Sequence, residues 1–215
     1  MTKAQLRTEV LRQLSESTSS PTFVSTADVD TAVEAGYQEI SDATEWREVW
    51  RTIDLLQSRP YYDMRTVFAG VTVLSPLSAF HEDTNRWLEP VSPRDLDQQY
   101  ARWEQVVGPP EAILTRGLFW LGYWPFIGSD TGTVKQYATA LPASLTAETD
   151  TPGFEAVYHQ GLVDYALAEL LPGMGEVSKA MQAWDRYLTI EAALDTRVRA
   201  RGAVPRYTGY VDHVG

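Results

Sequence analysis

Apolar residues recur at helical spacing from the start of the chain. Leu6, Val10, Leu11 and Leu14 share one stripe, with Arg7, Glu9 and Arg12 opposite, which predicts a short amphipathic helix over residues 2–15. A Ser/Thr cluster from Ser15 to Ser20, closed by Pro21, marks a turn. Ser25-Thr26-Ala27-Asp28 then has the form of a capping box, in which a hydroxyl and a carboxylate serve orphan amides. The helix it opens runs to about Thr44, burying Val29, Val33, Tyr37 and Ile40 and leaving Asp30, Glu34, Gln38 and Glu39 wet. Neither helix is stable without a partner surface for its stripe.

From Trp46 to about Pro142 the period changes. β-branched and aromatic residues alternate with Pro, Gly and Asp/Asn punctuation, which predicts strands near Arg47–Leu55, Tyr62–Phe68, Val71–Leu74, Arg86–Pro90, Ala112–Thr115, Gly117–Trp120 and Gly132–Tyr137. Ser92-Pro93-Arg94-Asp95 opens one or two helical turns that reach Trp103. The strands are short and look antiparallel, without βαβ crossovers.

Beyond Pro142 the helical period returns. Asp150-Thr151-Pro152 supplies an N-cap and a first-turn proline for a helix to Leu171, and Pro172-Gly173 breaks it. A longer helix from about Gly175 to Arg199 carries Val177, Met181, Trp184, Leu188 and Ala192 on one face. The expected fold class is α+β: a helical bundle of N- and C-terminal helices (residues 1–45 and 150–200), an inserted antiparallel β-rich module (46–149), and an extended tail (201–215).

Charge and composition narrow the function. The chain has 215 residues with 18 basic and 29 acidic side chains, a net charge of −11. Such a surface repels nucleic-acid backbones and anionic membranes. With no cysteine there is no disulfide framework, thiolate metal site or Cys nucleophile. The first residues form a polar amphipathic run rather than a signal peptide, and no run of about 18 apolar residues occurs, so a soluble protein made inside the cell is expected.

Catalytic, cofactor and metal residues are expected to be absent. His81, His159 and His213 have no metal-binding companion at a recognisable spacing. His81-Glu82-Asp83 reads as a solvated loop, and His159 as a packing or capping side chain. Neither a Gly-x-Ser-x-Gly elbow nor a phosphate loop is present, and Gly128-Ser129-Asp130-Thr131-Gly132 reads as a hairpin turn. A carboxylate pair of an acidic hydrolase would be invisible at this level, since its approach is spatial.

Two surfaces stand out instead. Seven tryptophans occur, and the run Leu118 to Phe126 is too continuously apolar for one face of an alternating strand. One side of it needs cover, which a neighbouring subunit could supply, so Trp120, Tyr123 and Trp124 are candidates for a subunit or tail interface. A carbohydrate- or receptor-binding module would use the same Trp/Tyr-rich strands. The second surface is basic: Arg197, Arg199, Arg201 and Arg206 crowd into ten positions with Tyr207 and Tyr210 close behind, and no acid occurs between Thr196 and Val211. Such an arm complements a helix dipole, docks on an acidic protein surface, or touches nucleic acid.

The order of elements resembles a known family. The opening Leu6, Val10 and Leu14, the run Phe23 to Asp30 leading into Ala35-Gly36-Tyr37-Gln38-Glu39-Ile40, and then Trp46, Asp95-Leu96-Asp97, Trp103 and Gly108-Pro109-Pro110-Glu111 are similar to the head-to-tail adaptor proteins of tailed bacteriophages. The similarity continues through Leu121 to Pro125 and Tyr158-His159-Gln160-Gly161-Leu162-Val163-Asp164-Tyr165-Ala166-Leu167. The resemblance implies a structural, non-enzymatic virion protein at the neck, made in the host cytoplasm, whose homo-oligomeric ring, commonly a dodecamer, sits beneath the portal protein. It implies helices packed side by side, a β part facing the tail or nozzle protein, a lumen crossed by DNA without specific binding, no membrane contact and no cofactor. Under that reading Arg197, Arg199, Arg201, Arg206, Tyr207 and Tyr210 are portal-docking residues.

Overall fold

The computed structural model describes residues 1–17, 19, 21–57, 59–117, 119–128 and 132–202, without the side chains of residues 201 and 202. The elements run α1 (Lys3–Gln13), α2 (Thr26–Thr44), β1 (Glu48–Leu55), β2 (Tyr61–Asp63), α3 (Met64–Val67), β3 (Val73–His81) and β4 (Arg86–Val91). They continue with α4 (Pro93–Gln99), β5 (Ala112–Arg116), β6 (Trp120–Trp124), β7 (Gly132–Ala140), α5 (His159–Leu170) and α6 (Val177–Gly202). The contacts divide the chain into two units, Arg47–Leu141 and Met1–Trp46 joined by the described chain from Pro142 onward.

In the helical unit the capping chemistry matches the sequence. Thr2 and Gln5 form a capping box on α1, Ser25 and Asp28 another on α2, each pair satisfying two amides that the first helical turn leaves open. Leu6, Val10, Leu11, Val29, Val33, Tyr37, Ile40, Leu162, Val163, Ala166 and Tyr187 form the core between α1, α2, α5 and α6. Arg7 ties three segments together: its guanidinium donates to both carboxylate oxygens of Asp30 at 2.6 and 2.5 Å, and to those of Glu148 at 3.0 and 2.8 Å. The predicted start of α5 is displaced. The Asp150 carboxylate accepts the amides of Thr146 and Ala147 at 2.8 and 2.7 Å, closing a turn, and α5 begins only at His159 after the 3-10 turn Ala156–Tyr158.

The expected helical bundle with an antiparallel insertion is corrected. The fold is mixed α+β, with six α-helices among the described residues and one curled seven-stranded sheet in the order β1-β7-β3-β4-β5-β6-β2. Its strands pair antiparallel except β4 with β5, where Glu89 lies beside Ala112 and Val91 beside Leu114 in parallel. A parallel pair needs a crossover, and α4 with the 3-10 turn Trp103–Gln105 supplies it. The sequence pattern hid this because α4 is only seven residues long. Three strands are also shifted from expectation, the one expected at Val71–Leu74 running instead from Val73 to His81 as β3. β2 stops at Asp63, whose side chain accepts the amide of Arg65 and starts α3, and β6 begins at Trp120, after Gly117 has taken φ +64° in the preceding turn.

Candidate functional site

Alternation along β5 and β6 sends their side chains into two separate cores. Ile113, Leu121 and Tyr123 join Ile53, Leu55, Tyr62, Phe68, Leu88 and Val134 on one face, while Ala112, Leu114 and Trp124 join Leu96 and Trp103 on the other. From Leu121 to Trp124 the apolar run is therefore covered on both sides by its own chain, the second layer being α4 and Trp103. Tyr123 is buried and donates its hydroxyl to Gln136 Oε1 at 3.1 Å, and burial pushes its pKa up. Trp124 is buried too, donating Nε1 to the Trp103 carbonyl at 3.0 Å and packing on Tyr100 at 5.1 Å between ring centroids. Only Trp120, 45% exposed, faces solvent. It neighbours Phe119, also exposed, over which the Arg65 guanidinium sits 4.9 Å from the ring centre.

The basic arm divides between described and undescribed residues. Arg197 lies 3.6 Å from Glu155, and Arg199 donates Nε to Asp195 at 2.7 Å, both on the last turns of α6 where cations complement the helix dipole. These exposed pairs are screened by solvent and contribute little to stability. The helix runs on to Gly202, past the expected end at Arg199. The Arg201 side chain, Arg206, Tyr207 and Tyr210 lie outside the described residues, as do the side chains at 129–131 in the expected Gly128–Gly132 turn.

Sequence reasoning missed two surfaces. One is an aromatic row across the outer face of β1, β7, β3 and β4. Trp50 lies beside Tyr137, Trp87 packs on Tyr137 at 5.5 Å and on Phe80 at 5.4 Å, and Lys135 Nζ sits 3.9 Å over the Trp50 ring. The period-2 positions of these residues were the available signal, but they are scattered over four strands. The rings are tilted by 41° and 62° rather than coplanar, and the face of Trp50 is capped by a cation. A flat sugar-stacking platform is not what this row offers.

The other is on α6. The predicted inward stripe is the outward one: Val177, Met181, Trp184 and Leu188 are 38% to 65% exposed, while Ala180, Ala183, Tyr187 and Leu194 are buried. The helix has two apolar seams about a third of a turn apart, and the unit closes over the one with smaller residues because alanines let α6 approach α5 closely. Gly161 of α5 makes that approach possible, since a Cβ there would sit 2.9 Å from Ile190 Cγ2.

The histidines serve packing. His81 is buried at the end of β3, with Nδ1 2.6 Å from Thr84 Oγ1 and Nε2 3.5 Å from Asp83 Oδ2, so it departs from the solvated loop expected there. It lines a cleft of about 400 Å³ whose only other titratable group among the described residues is Asp83. No group of three or more His, Asp or Glu placed to hold a metal occurs among the described residues. His159 is buried, its Nε2 3.1 Å from the Phe154 carbonyl. Burial lowers the pKa of both imidazoles, although Asp83 pulls His81 the other way. The unfolded chain binds protons near the ordinary value of about 6.5, so this stability is present above that pH and lost as pH falls through the lowered folded values. Melting temperature is expected to decline from about pH 7.5 to about pH 5, before carboxylates titrate, and the double variant His81→Asn, His159→Gln to flatten the curve. A flat wild-type curve would contradict this.

No described helix is long and apolar enough to cross a membrane. No curated protein matches the chain. The family described as SU10 adaptor protein matches it over residues 1–210, in line with the resemblance in the order of elements. The chain belongs to the SU10 adaptor protein family and is a phage structural adaptor.

Proposed function

We propose that this chain is one wall segment of a homo-oligomeric ring at the virion neck, between portal and tail, with its C-terminal arm docked on the portal. The family match supports the adaptor role. The observation that carries the ring is the outward apolar seam of α6, four large side chains at solvent in a chain that otherwise buries its apolar stripes. The net charge of −11 fits a lumen through which DNA slides, because an acidic wall offers the phosphates no counter-charge. The arm joins Arg197 and Arg199 at the end of α6 to Arg201, Arg206, Tyr207 and Tyr210, and Tyr and Arg are the side chains that most often anchor interfaces. Trp120 with Phe119 is an exposed aromatic pair suited to a tail-side contact. The carbohydrate-binding alternative loses Tyr62, Tyr123 and Trp124 to the interior.

Deleting the chain after Arg201 removes no residue of the described cores. The truncated protein is therefore expected to keep the full-length melting temperature and lose capture by the portal protein in a pull-down. Undiminished capture would overturn the arm's role.

A further inference from the structure

We infer that the cleft at the end of β3 binds a divalent metal ion of the zinc type through His81 Nε2 and Asp83 Oδ2. This goes beyond the ring reading and does not rest on it. His81 is the last residue of β3, and only 4% of its side chain is exposed. It packs with one ring nitrogen engaged, Nδ1 lying 2.6 Å from Thr84 Oγ1. The other, Nε2, is buried with no hydrogen-bond partner among the described residues. Buried polar atoms are almost always satisfied, so an orphaned nitrogen in the wall of a cleft of about 400 Å³ points to a ligand.

Asp83 supplies the second donor atom. Its Oδ2 lies 3.5 Å from Nε2, which is too long for a hydrogen bond between them. It is close to the separation of two donors on one ion: bonds of about 2.0–2.1 Å to imidazole and about 2.0–2.2 Å to carboxylate, at a tetrahedral angle, set nitrogen and oxygen roughly 3.4 Å apart. The Thr133 amide donates to the same oxygen at 2.9 Å and holds the carboxylate in place without removing its charge. Thr84 is the outer-shell partner. By accepting Nδ1–H it selects the tautomer whose lone pair is on Nε2, the arrangement that metal-bound histidines use.

Gly132, at the start of β7, keeps the position clear. A Cβ there would sit 2.9 Å from Nε2 and 3.4 Å from Asp83 Oδ2, so any other residue would press its side chain against both donors. The donor set also chooses the ion. Imidazole with carboxylate suits zinc and its transition-metal neighbours, whereas magnesium and calcium favour oxygen throughout. The opposite walls of the cleft, Val107, Pro109, Pro110 and Ile127, bring no further donor side chain, which leaves the remaining coordination positions to water. With two protein ligands the ion exchanges readily, unlike the closed four-ligand sites that hold a fold together.

Calorimetric titration of the full chain with zinc chloride at about pH 7.5, after treatment with a chelator, tests the site. One zinc per chain is expected, with no comparable binding of magnesium. Asp83→Asn is the decisive variant, because that side chain is 56% exposed and the amide oxygen of asparagine still accepts from Thr133. It is expected to melt like the wild type without metal, to bind zinc roughly tenfold or more weakly, and to lose the rise in melting temperature that zinc gives the wild type. His81→Asn is expected to weaken binding likewise, and His213→Gln to leave it unchanged. Absence of zinc binding would overturn the inference, as would equal binding of magnesium, which would mean carboxylates of the acidic surface only. Undiminished zinc affinity in Asp83→Asn would overturn it too.

Discussion

Replacing Trp103 with alanine is expected to destabilise the sheet unit by about 3–5 kcal/mol, the range for removing a buried large aromatic. Trp103 is buried over β5 and β6, donates Nε1 to Asp97 at 2.7 Å, lends its carbonyl to Trp124 Nε1, and packs on Phe126 at 6.1 Å. Truncation opens a cavity, removes the Nε1 donor from Asp97, and bares Leu114 and Trp124 to water. Denaturant unfolding monitored by tryptophan fluorescence should therefore show a large shift, with increased binding of a hydrophobic dye in the folded state. A loss below about 1 kcal/mol would mean that the chain does not itself cover this face, which would return Trp124 to the contact candidates.

That expectation marks where the sequence was and was not legible. The capping box at Ser25 and the stripes of α1 and α2 were readable because each signal is local: a cap and its helix lie within four residues, and the buried stripe repeats in one segment, whereas the box that Thr2 and Gln5 form on α1 was missed. The apolar run around Trp120 was readable as needing cover, but not whose. The cover is a seven-residue helix and one 3-10 turn, too short to carry a period, and it turns β4 and β5 into a parallel pair that no hairpin signal announces. Asp150 showed the converse. A carboxylate beside Thr151-Pro152 has the form of an N-cap, yet the amides it accepts belong to residues before it, and local pattern does not say in which direction a side chain will reach.

The face of α6 was misread for a different reason. Val177, Met181, Trp184 and Leu188 are the more hydrophobic of its two seams, so any ranking by side-chain apolarity turns them inward. Packing decided otherwise: Ala180, Ala183 and Tyr187 are buried, and Gly161 of α5 lets Ile190 of α6 come so close that a Cβ there would sit 2.9 Å from its Cγ2. The basic arm at the end of the same helix was legible from charge alone, since it is a cluster in sequence and its chemistry needs no fold.

The ion pair between Asp164 and Arg186 helps to hold this rotation of α6, and removing half of it is expected to cost about 2–3 kcal/mol. Asp164 of α5 is buried, and Arg186 of α6 reaches it with Nε and Nη2, both at 2.8 Å from Oδ1. Arg186 is half exposed, which screens the pair and places the cost at the lower end of the range for buried pairs. In Arg186→Ala the carboxylate stays inside without its counter-charge, so the loss exceeds what the pair contributes when intact. The double variant Asp164→Leu, Arg186→Met should recover most of the stability, since an apolar pair of similar volume needs no desolvation of charge. The two variants differ in what they do to the outward seam. Arg186 lies on the side of α6 away from Leu188, two residues from Trp184 and adjacent to Tyr187, so its bond to Asp164 fixes Tyr187 inward and Leu188 outward as one rotation. Loss of the charge pair with apolar replacement keeps the helix docked but frees its rotation, and incorporation of the double variant into particles is expected to fall although its melting temperature is near wild type. Full incorporation at normal stability would show that Ala183 and Tyr187 alone set the angle and that the ion pair is dispensable to it.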